Sequence, residues 1–181
     1  ASENKISRLY LDYAYSKNSL YDISERAIKS KNKSPILLNQ HYRSYRDIIS
    51  FSNEYFYDKK LNIMTDESKL VPDSVHPRGV KWVDVRGKTS QTKSPYNKEE
   101  AIEIIKILKS FNESNLKKIS FGIVTLFRAH MELIDDMINN MKELKNMDIT
   151  VGTAHKFQGD EKDIIIFSPA ISPGIKQSTL N

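Results

Sequence analysis

Val151-Gly-Thr-Ala-His155-Lys-Phe-Gln-Gly159-Asp-Glu161-Lys-Asp163 gathers a hydroxyl, an imidazole, an amide and a carboxylate on a backbone opened by two glycines. A β-branched run from Asp148 to Val151 precedes these groups, and the apolar run Ile164 to Phe167 follows them. Thr153, His155, Gln158 and Glu161 are poor core material, because each would need a partner to offset its desolvation. A polar turn between two buried strands is where open α/β sheets bind ligands, so the tract reads as a recognition site. Gly87-Lys88-Thr89 mimics the tail of a phosphate-binding loop. Trp82 stands at the upstream glycine position and no helix opens directly after Thr89, so the tract reads as a decoy. The chain has no cysteine, which excludes disulfides, thiolate zinc sites and cysteine nucleophiles.

The elements that must position these residues follow from periodicity. Asn18 to Ala27 is amphipathic, with Leu20, Ile23 and Ala27 at helical spacing. Pro35 to Leu38 reads as a short buried strand. Ser44, with Asp47 three residues on, reads as the cap of a helix with a broad apolar face of Ile48, Ile49, Phe51, Ser52, Tyr55 and Phe56. A polar connection from Asn62 to Arg78 is broken by Pro72 and Pro77. Val80 to Val85 is the next expected strand, with Trp82 in the core and Arg86 to Tyr96 a loop. Asn97 caps a helix with Glu99 and Glu100 in its first turn and Ile102, Ile105, Leu108 and Phe111 at helical spacing. Ile119 to Leu126 is a strand, and Ala129 to Leu144 a helix with Leu133, Ile134, Met137, Ile138 and Met141 inward. A strand at Ile149, the polar turn and a strand from Ile164 to Phe167 complete the pattern. Strands alternating with helices imply a parallel sheet wrapped on both faces.

Composition bounds the function without fixing it. With 181 residues, 39% hydrophobic and 28% charged, the chain reads as one soluble domain with room for a core. No apolar run approaches the roughly 20 residues a membrane span needs, and the N-terminus lacks a signal peptide's apolar core. The expectation is an intracellular, cytoplasmic protein with no membrane association. A net charge of +5 suits a polyanion without demanding one. The nine tyrosines invite a base-stacking account, but most are expected to pack.

Three tracts together resemble superfamily 1 helicases. The stretch from Thr153 to Asp163 is similar to motif V, roughly T-x-H-x-F-Q-G-x-E-x-D. Leu38-Asn-Gln40-His-Tyr42-Arg43-Ser44, with Ile48 and then Asn53 to Tyr57, resembles motif IV of the 1B branch, which holds the nonsense-mediated-decay helicase and the replication nuclease-helicase. Phe121-Gly-Ile-Val-Thr125-Leu-Phe-Arg-Ala-His130 looks like I-G-V-I-T-P-Y-R-A-Q, with Leu126 for proline and His130 for glutamine. The likeness spans Pro35 to Ser168. Walker A, Walker B and the arginine-bearing motif VI have no counterparts here.

The resemblance implies an α/β, RecA-like P-loop NTPase fold. The chain would be a fragment supplying the second motor domain, residues 35–181, truncated before motif VI, with residues 1–34 leading in from the inter-domain region. It implies Arg43 as the catalytic arginine on the γ-phosphate, since a guanidinium there stabilises developing charge. Glu161 and Gly159 would face the nucleotide, with Gln40 and Tyr42 positioning the Arg43 loop. Thr153, His155, Thr125 and Arg128 would meet a nucleic-acid backbone, to which hydroxyl and N–H groups suit contact without sequence readout. Gln158 would couple the two sites, and Phe157 would pack in the core. ATP and Mg2+ are the implied cofactors of the full-length protein, with the Mg2+ ligands outside this chain. The implied partners are a single strand, DNA weakly favoured over RNA, and the first RecA-like domain of the same protein. The fragment alone is expected to be inactive. Two alternatives stand: a non-catalytic nucleic-acid-binding adaptor with a degenerate motor domain, and an NTPase that drives a switch or a fused nuclease without translocation.

Overall fold

A computed structural model describes residues 10, 13, 14, 16–70, 78–113, 119–173 and 175. Its centre is a three-stranded parallel sheet in the order β4-β3-β5, formed by β3 (Ser120–Thr125), β4 (Asp148–Gly152) and β5 (Ile164–Ser168). Phe121 stands in register with Ile149 on one side and Ile164 on the other. Alternation along β3 sends Phe121 and Ile123 to one face and Gly122 to the other. The first face receives α3 (Lys98–Glu113) and α4 (Arg128–Asn139), followed by a 3₁₀ turn, Lys142–Leu144. The core between these layers is Ala101, Ile104, Ile105 and Leu108 from α3, Ile134 and Ile138 from α4, and Phe121, Ile123 and Val151 from the sheet. Phe111 meets Phe121 edge-on at 5.2 Å. The chain thus has the α/β, RecA-like architecture that its pattern implied.

Asn97 starts α3 as expected. Its Oδ1 accepts the Glu100 N–H at 3.2 Å and its Nδ2 donates to Glu100 Oε1 at 2.9 Å, which satisfies one of the helix's first N–H groups. The buried stripe is Ala101, Ile104, Ile105 and Leu108, whereas Ile102 is exposed. The expected stripe was therefore rotated by part of a turn. The expected long helix to Leu144 ends at Asn139, and a 3₁₀ turn finishes the path.

The N-terminal half departs further from expectation. Helix α1 (Leu20–Lys29) forms with a capping box between Ser19 and Asp22. The expected strand Pro35 to Leu38 does not form. Strand β1 is instead Gln40–His41, paired in parallel with β2 (Asn62–Ile63). Helix α2 (Arg46–Phe56) has Tyr45 rather than Ser44 at its cap, and that side chain does not cap the helix. Ser44 turns back instead, its N–H donating to His41 Nε2 at 3.1 Å. The helix carries the expected apolar residues, but Ile48, Phe51, Tyr55 and Phe56 are exposed, with Phe51 and Tyr55 ring centroids 4.7 Å apart. Val80 to Val85 forms no strand, and Trp82 is 88% exposed. The core assignment for Trp82 is thus overturned: a β-prone run is buried only when a neighbouring strand pairs with it. Among the described residues, helices pack on one face of the central sheet rather than both.

Candidate functional site

Strands β4 and β5 are parallel, so the tract between them must travel from one edge of the sheet to the other. It does so across the face opposite α3 and α4. Lys156 Nζ donates to the Val151 carbonyl at 2.9 Å, and Phe157 lies over Gly122. A Cβ on Gly122 would come within 2.8 Å of Phe157 Cε1 and 2.5 Å of Ile165 Cδ1, so only glycine lets the crossover lie this close. A short 3₁₀ turn, Ala154–Phe157, begins the path. Gly159 then turns it with φ +85°, the left-handed region that favours glycine. The arrangement separates Thr153 and His155, at the C-terminal edge of the sheet, from Asp160 and Glu161, toward its N-terminal edge. Phe157, expected in the core, is half-buried.

The far end of the crossover is tied down by a residue given no role at the outset. The Asp163 carboxylate accepts the Ser120 N–H at 2.8 Å and its hydroxyl at 2.7 Å. Lys162 reaches Asp148 Oδ1 at 3.4 Å. These contacts hold Asp160 and Glu161 where Arg43 meets them. The Arg43 Nη2 donates to the Asp160 carbonyl, and its Nε lies 3.2 Å from Glu161 Oε1. Two residues 118 positions apart in sequence are thereby joined. The Tyr42 hydroxyl donates to Gln40 Oε1 at 2.7 Å, bracing the loop that carries Arg43.

Both partners are largely exposed, 55% for Arg43 and 73% for Glu161. An exposed pair of this kind is worth about 0–1 kcal/mol. A more highly charged anion can therefore displace the carboxylate at little cost, and a guanidinium fork suits phosphate oxygens. Gln158 is exposed, and its N–H donates to the His155 carbonyl at 3.3 Å. His155 is exposed and Thr153 half-buried at the opposite end of the crossover.

Thr125 departs from its expected role. Thr125 is 1% exposed and its Oγ1 has no hydrogen-bond partner among the described residues. It does not present its hydroxyl to a strand, because β5 pairs alongside it, with Ser168 opposite. Arg128 is exposed but bound to Glu132, Nε to Oε1 at 2.7 Å. That contact raises its pKa, first by the hydrogen bond and then by the carboxylate's charge. The Gly87-Lys88-Thr89 tract behaves as a structural turn. Thr89 is buried and its hydroxyl donates to the Ala170 carbonyl at 2.8 Å.

A buried polar centre behind the site was not foreseen. The Asn97 N–H donates to His130 Nδ1 at 3.3 Å, so Nε2 carries the ring proton and donates to Ser168 Oγ at 2.8 Å. Ser168 donates in turn to Glu100 Oε2 at 2.6 Å, which also accepts the Ala170 N–H at 2.9 Å. Burial pushes the His130 pKa below its ordinary value, and the Glu100 charge opposes that shift. Serine, histidine and glutamate meet here without making a nucleophile. The hydroxyl donates to the carboxylate rather than to the imidazole, and Ser168 is 4% exposed. The centre instead joins the end of β5 to the first turns of α3 and α4. Its sequence signals were the Asn97 and Glu100 cap and the histidine where the helicase pattern has glutamine. Among the described residues no cluster of His, Cys, Asp or Glu could hold a metal ion, and no helix is long and apolar enough to cross a membrane.

An AAA domain family model matches residues 17–177. Helicase sen1 of Schizosaccharomyces pombe is 31% identical over 86% of this chain and 10% of its own length. An uncharacterized ATP-dependent helicase of Methanocaldococcus jannaschii, MJ0104, is 28% identical over 80% of this chain and 23% of its own. The DNA replication ATP-dependent helicase/nuclease dna2 of Schizosaccharomyces pombe is 26% identical over 72% and 11%. The chain belongs to this AAA domain family and is a superfamily 1 helicase-like domain. It spans between a tenth and a quarter of the length of these relatives.

Proposed function

We propose that the chain is the second motor domain of an ATP-dependent helicase, supplying half of an ATP cleft and part of a single-strand track. The observation that carries this is the meeting of Arg43 with Asp160 and Glu161. It places an exposed guanidinium and a carboxylate together on a domain whose relatives are named ATP-dependent helicases.

The fit to a nucleotide is that of half a site. Arg43, weakly held, suits a terminal phosphate, and Glu161, once released, is free to accept hydrogen bonds from the nucleotide. Metal ligands would come from the first RecA-like domain, as would the loop that cradles the phosphates. Bound ATP supplies the phosphoanhydride whose cleavage drives the motor. Arg43 neutralises charge on the terminal phosphate. Thr153, His155 and Arg128 meet the strand's backbone. Thr125 supports the track from inside rather than touching it. DNA is weakly preferred to RNA as the strand, and the protein works inside the cell.

The crossover offers a physical route between the two halves. Arg43 exchanging Glu161 for phosphate releases the Gly159 end of the tract, while Phe157 and Lys156 hold its middle to the sheet. Movement at Glu161 then reaches His155 through the Gln158 to His155 hydrogen bond.

Measuring ATP hydrolysis by the intact protein, with and without single-stranded DNA or RNA, tests the reading. Arg43→Ala should lower strand-stimulated hydrolysis by about a thousandfold or more, leaving strand binding largely intact. Hydrolysis indifferent to Arg43 would sink the cleft assignment. Strand binding with no hydrolysis would favour the adaptor.

A further inference from the structure

Trp82, the chain's only tryptophan, is 88% exposed, more than any described tyrosine or phenylalanine. It lies in an irregular segment held at both ends. At one end Gly79 abuts Asp47 at the start of α2, where a Cβ would sit 3.1 Å from the carboxylate Oδ2. At the other, Thr89 is fixed behind β5: its N–H donates to Ser172 Oγ at 2.8 Å and its hydroxyl to the Ala170 carbonyl at 2.8 Å. Among the described residues no strand pairs with the chain between these anchors, and Val80 is also exposed.

The charge around Trp82 is one-sided. Residues 78–93 carry Arg78, Lys81, Arg86, Lys88 and Lys93 against the single acid Asp84. All five cations are exposed, and among the described residues none of them forms an ion pair. Some exposed cations elsewhere, such as Lys29, Lys109 and Arg128, are matched to a carboxylate, whereas others, such as Lys31 and Lys98, resemble these five in having no ion pair among the described residues. Unmatched cations interleaved with a bare aromatic face make a surface for a flexible polyanion that also offers flat rings. The cations track phosphates while the indole takes a base on its face, an attraction that tolerates any sequence because every base has a π-face.

We propose that Trp82 is a base-stacking platform for single-stranded nucleic acid, with Arg78, Lys81, Arg86 and Lys88 holding the adjoining phosphates. This rests on the helicase reading for its ligand class, but names a contact outside the tracts that resemble helicase motifs. The site extends the strand's footprint from the crossover onto the segment between α2 and α3. It confers no sequence preference and weakens with salt.

Because Trp82 is the sole tryptophan, its fluorescence reports this site alone. The 181-residue chain is titrated with end-labelled oligothymidylate, with binding read by anisotropy of the label and stacking by indole emission. The free chain should emit as a solvated indole accessible to iodide. The oligonucleotide should quench that emission and shield it from iodide, and an abasic strand of equal length should bind more weakly without quenching. Trp82→Ala should weaken binding about tenfold or more, while Trp82→Phe keeps most of the affinity. Blue-shifted, iodide-protected emission from the free chain would overturn the proposal by showing the indole covered. Binding that leaves the emission unchanged, or that Trp82→Ala does not weaken, would also overturn it while leaving the helicase reading intact. Absence of any binding by the unmodified chain would count against both.

Discussion

Replacing Ser168 with alanine tests whether the buried polar centre holds the domain together. The hydroxyl stands between a ring N–H and a carboxylate, 2.8 Å from His130 Nε2 and 2.6 Å from Glu100 Oε2. His130 is 0% exposed, so no solvent replaces the lost acceptor. An orphaned buried donor costs about 1–3 kcal/mol, and a hydrogen bond to a charged group contributes about 1.5–3 kcal/mol. Glu100 Oε2 keeps the Ala170 N–H, which moderates the second loss, so the sum is about 2–4 kcal/mol. For a chain of this size each kcal/mol moves the midpoint by roughly 2–4 °C, so Tm should fall by about 5–15 °C. Thermal and urea unfolding followed by circular dichroism would read this directly. A double-mutant cycle with His130→Ala should show coupling of about 1 kcal/mol or more, since each single change removes the same bond. An Ser168→Ala variant melting within about 2 °C of the parent, with no coupling to His130, would refute the network as a source of stability.

Three further outcomes follow from the geometry. Burial holds the folded-state pKa of His130 below its ordinary value, so below about pH 6.5 the unfolded chain takes up a proton that the folded one resists. The stability from neutral His130 is fully present above that pH and is lost as pH falls toward the folded-state value; urea midpoints between pH 7 and 5.5 should decline, and His130→Gln should flatten the decline. Gly122→Ala places a methyl into the ring of Phe157 and the tip of Ile165, and should cost about 1–3 kcal/mol by overpacking, measurable as a lower urea midpoint. Thr125→Val removes a buried hydroxyl with no partner among the described residues at nearly constant volume, and should be neutral or raise stability by up to about 1–2 kcal/mol; a loss above about 1 kcal/mol would mean that the hydroxyl has a partner.

Local sequence was sufficient wherever neighbours in the chain supply the determining interaction. The Asn97 cap of α3 was legible because the cap and the N–H it satisfies lie within one turn. Strands β3, β4 and β5 and helix α4 were legible because β-branched and apolar periodicity marks elements that a core will cover. The polar character of the tract between β4 and β5 was also legible, whereas the meeting of Arg43 with Glu161 was not. Tertiary structure decided the rest. Only the parallel order β4-β3-β5 makes the tract cross a sheet face, which separates His155 from Glu161 and brings Glu161 to Arg43. The burial of Thr125 beside Ser168 depends on the pairing of β3 with β5, which no local pattern states. The same holds for Trp82 in reverse. Its β-prone surroundings predicted a core strand, but hydrogen-bonding neighbours and not propensity decide whether a strand is covered, and here the indole faces water. The His130 centre joins residues from α3, α4 and β5, so it exists only once all three are packed.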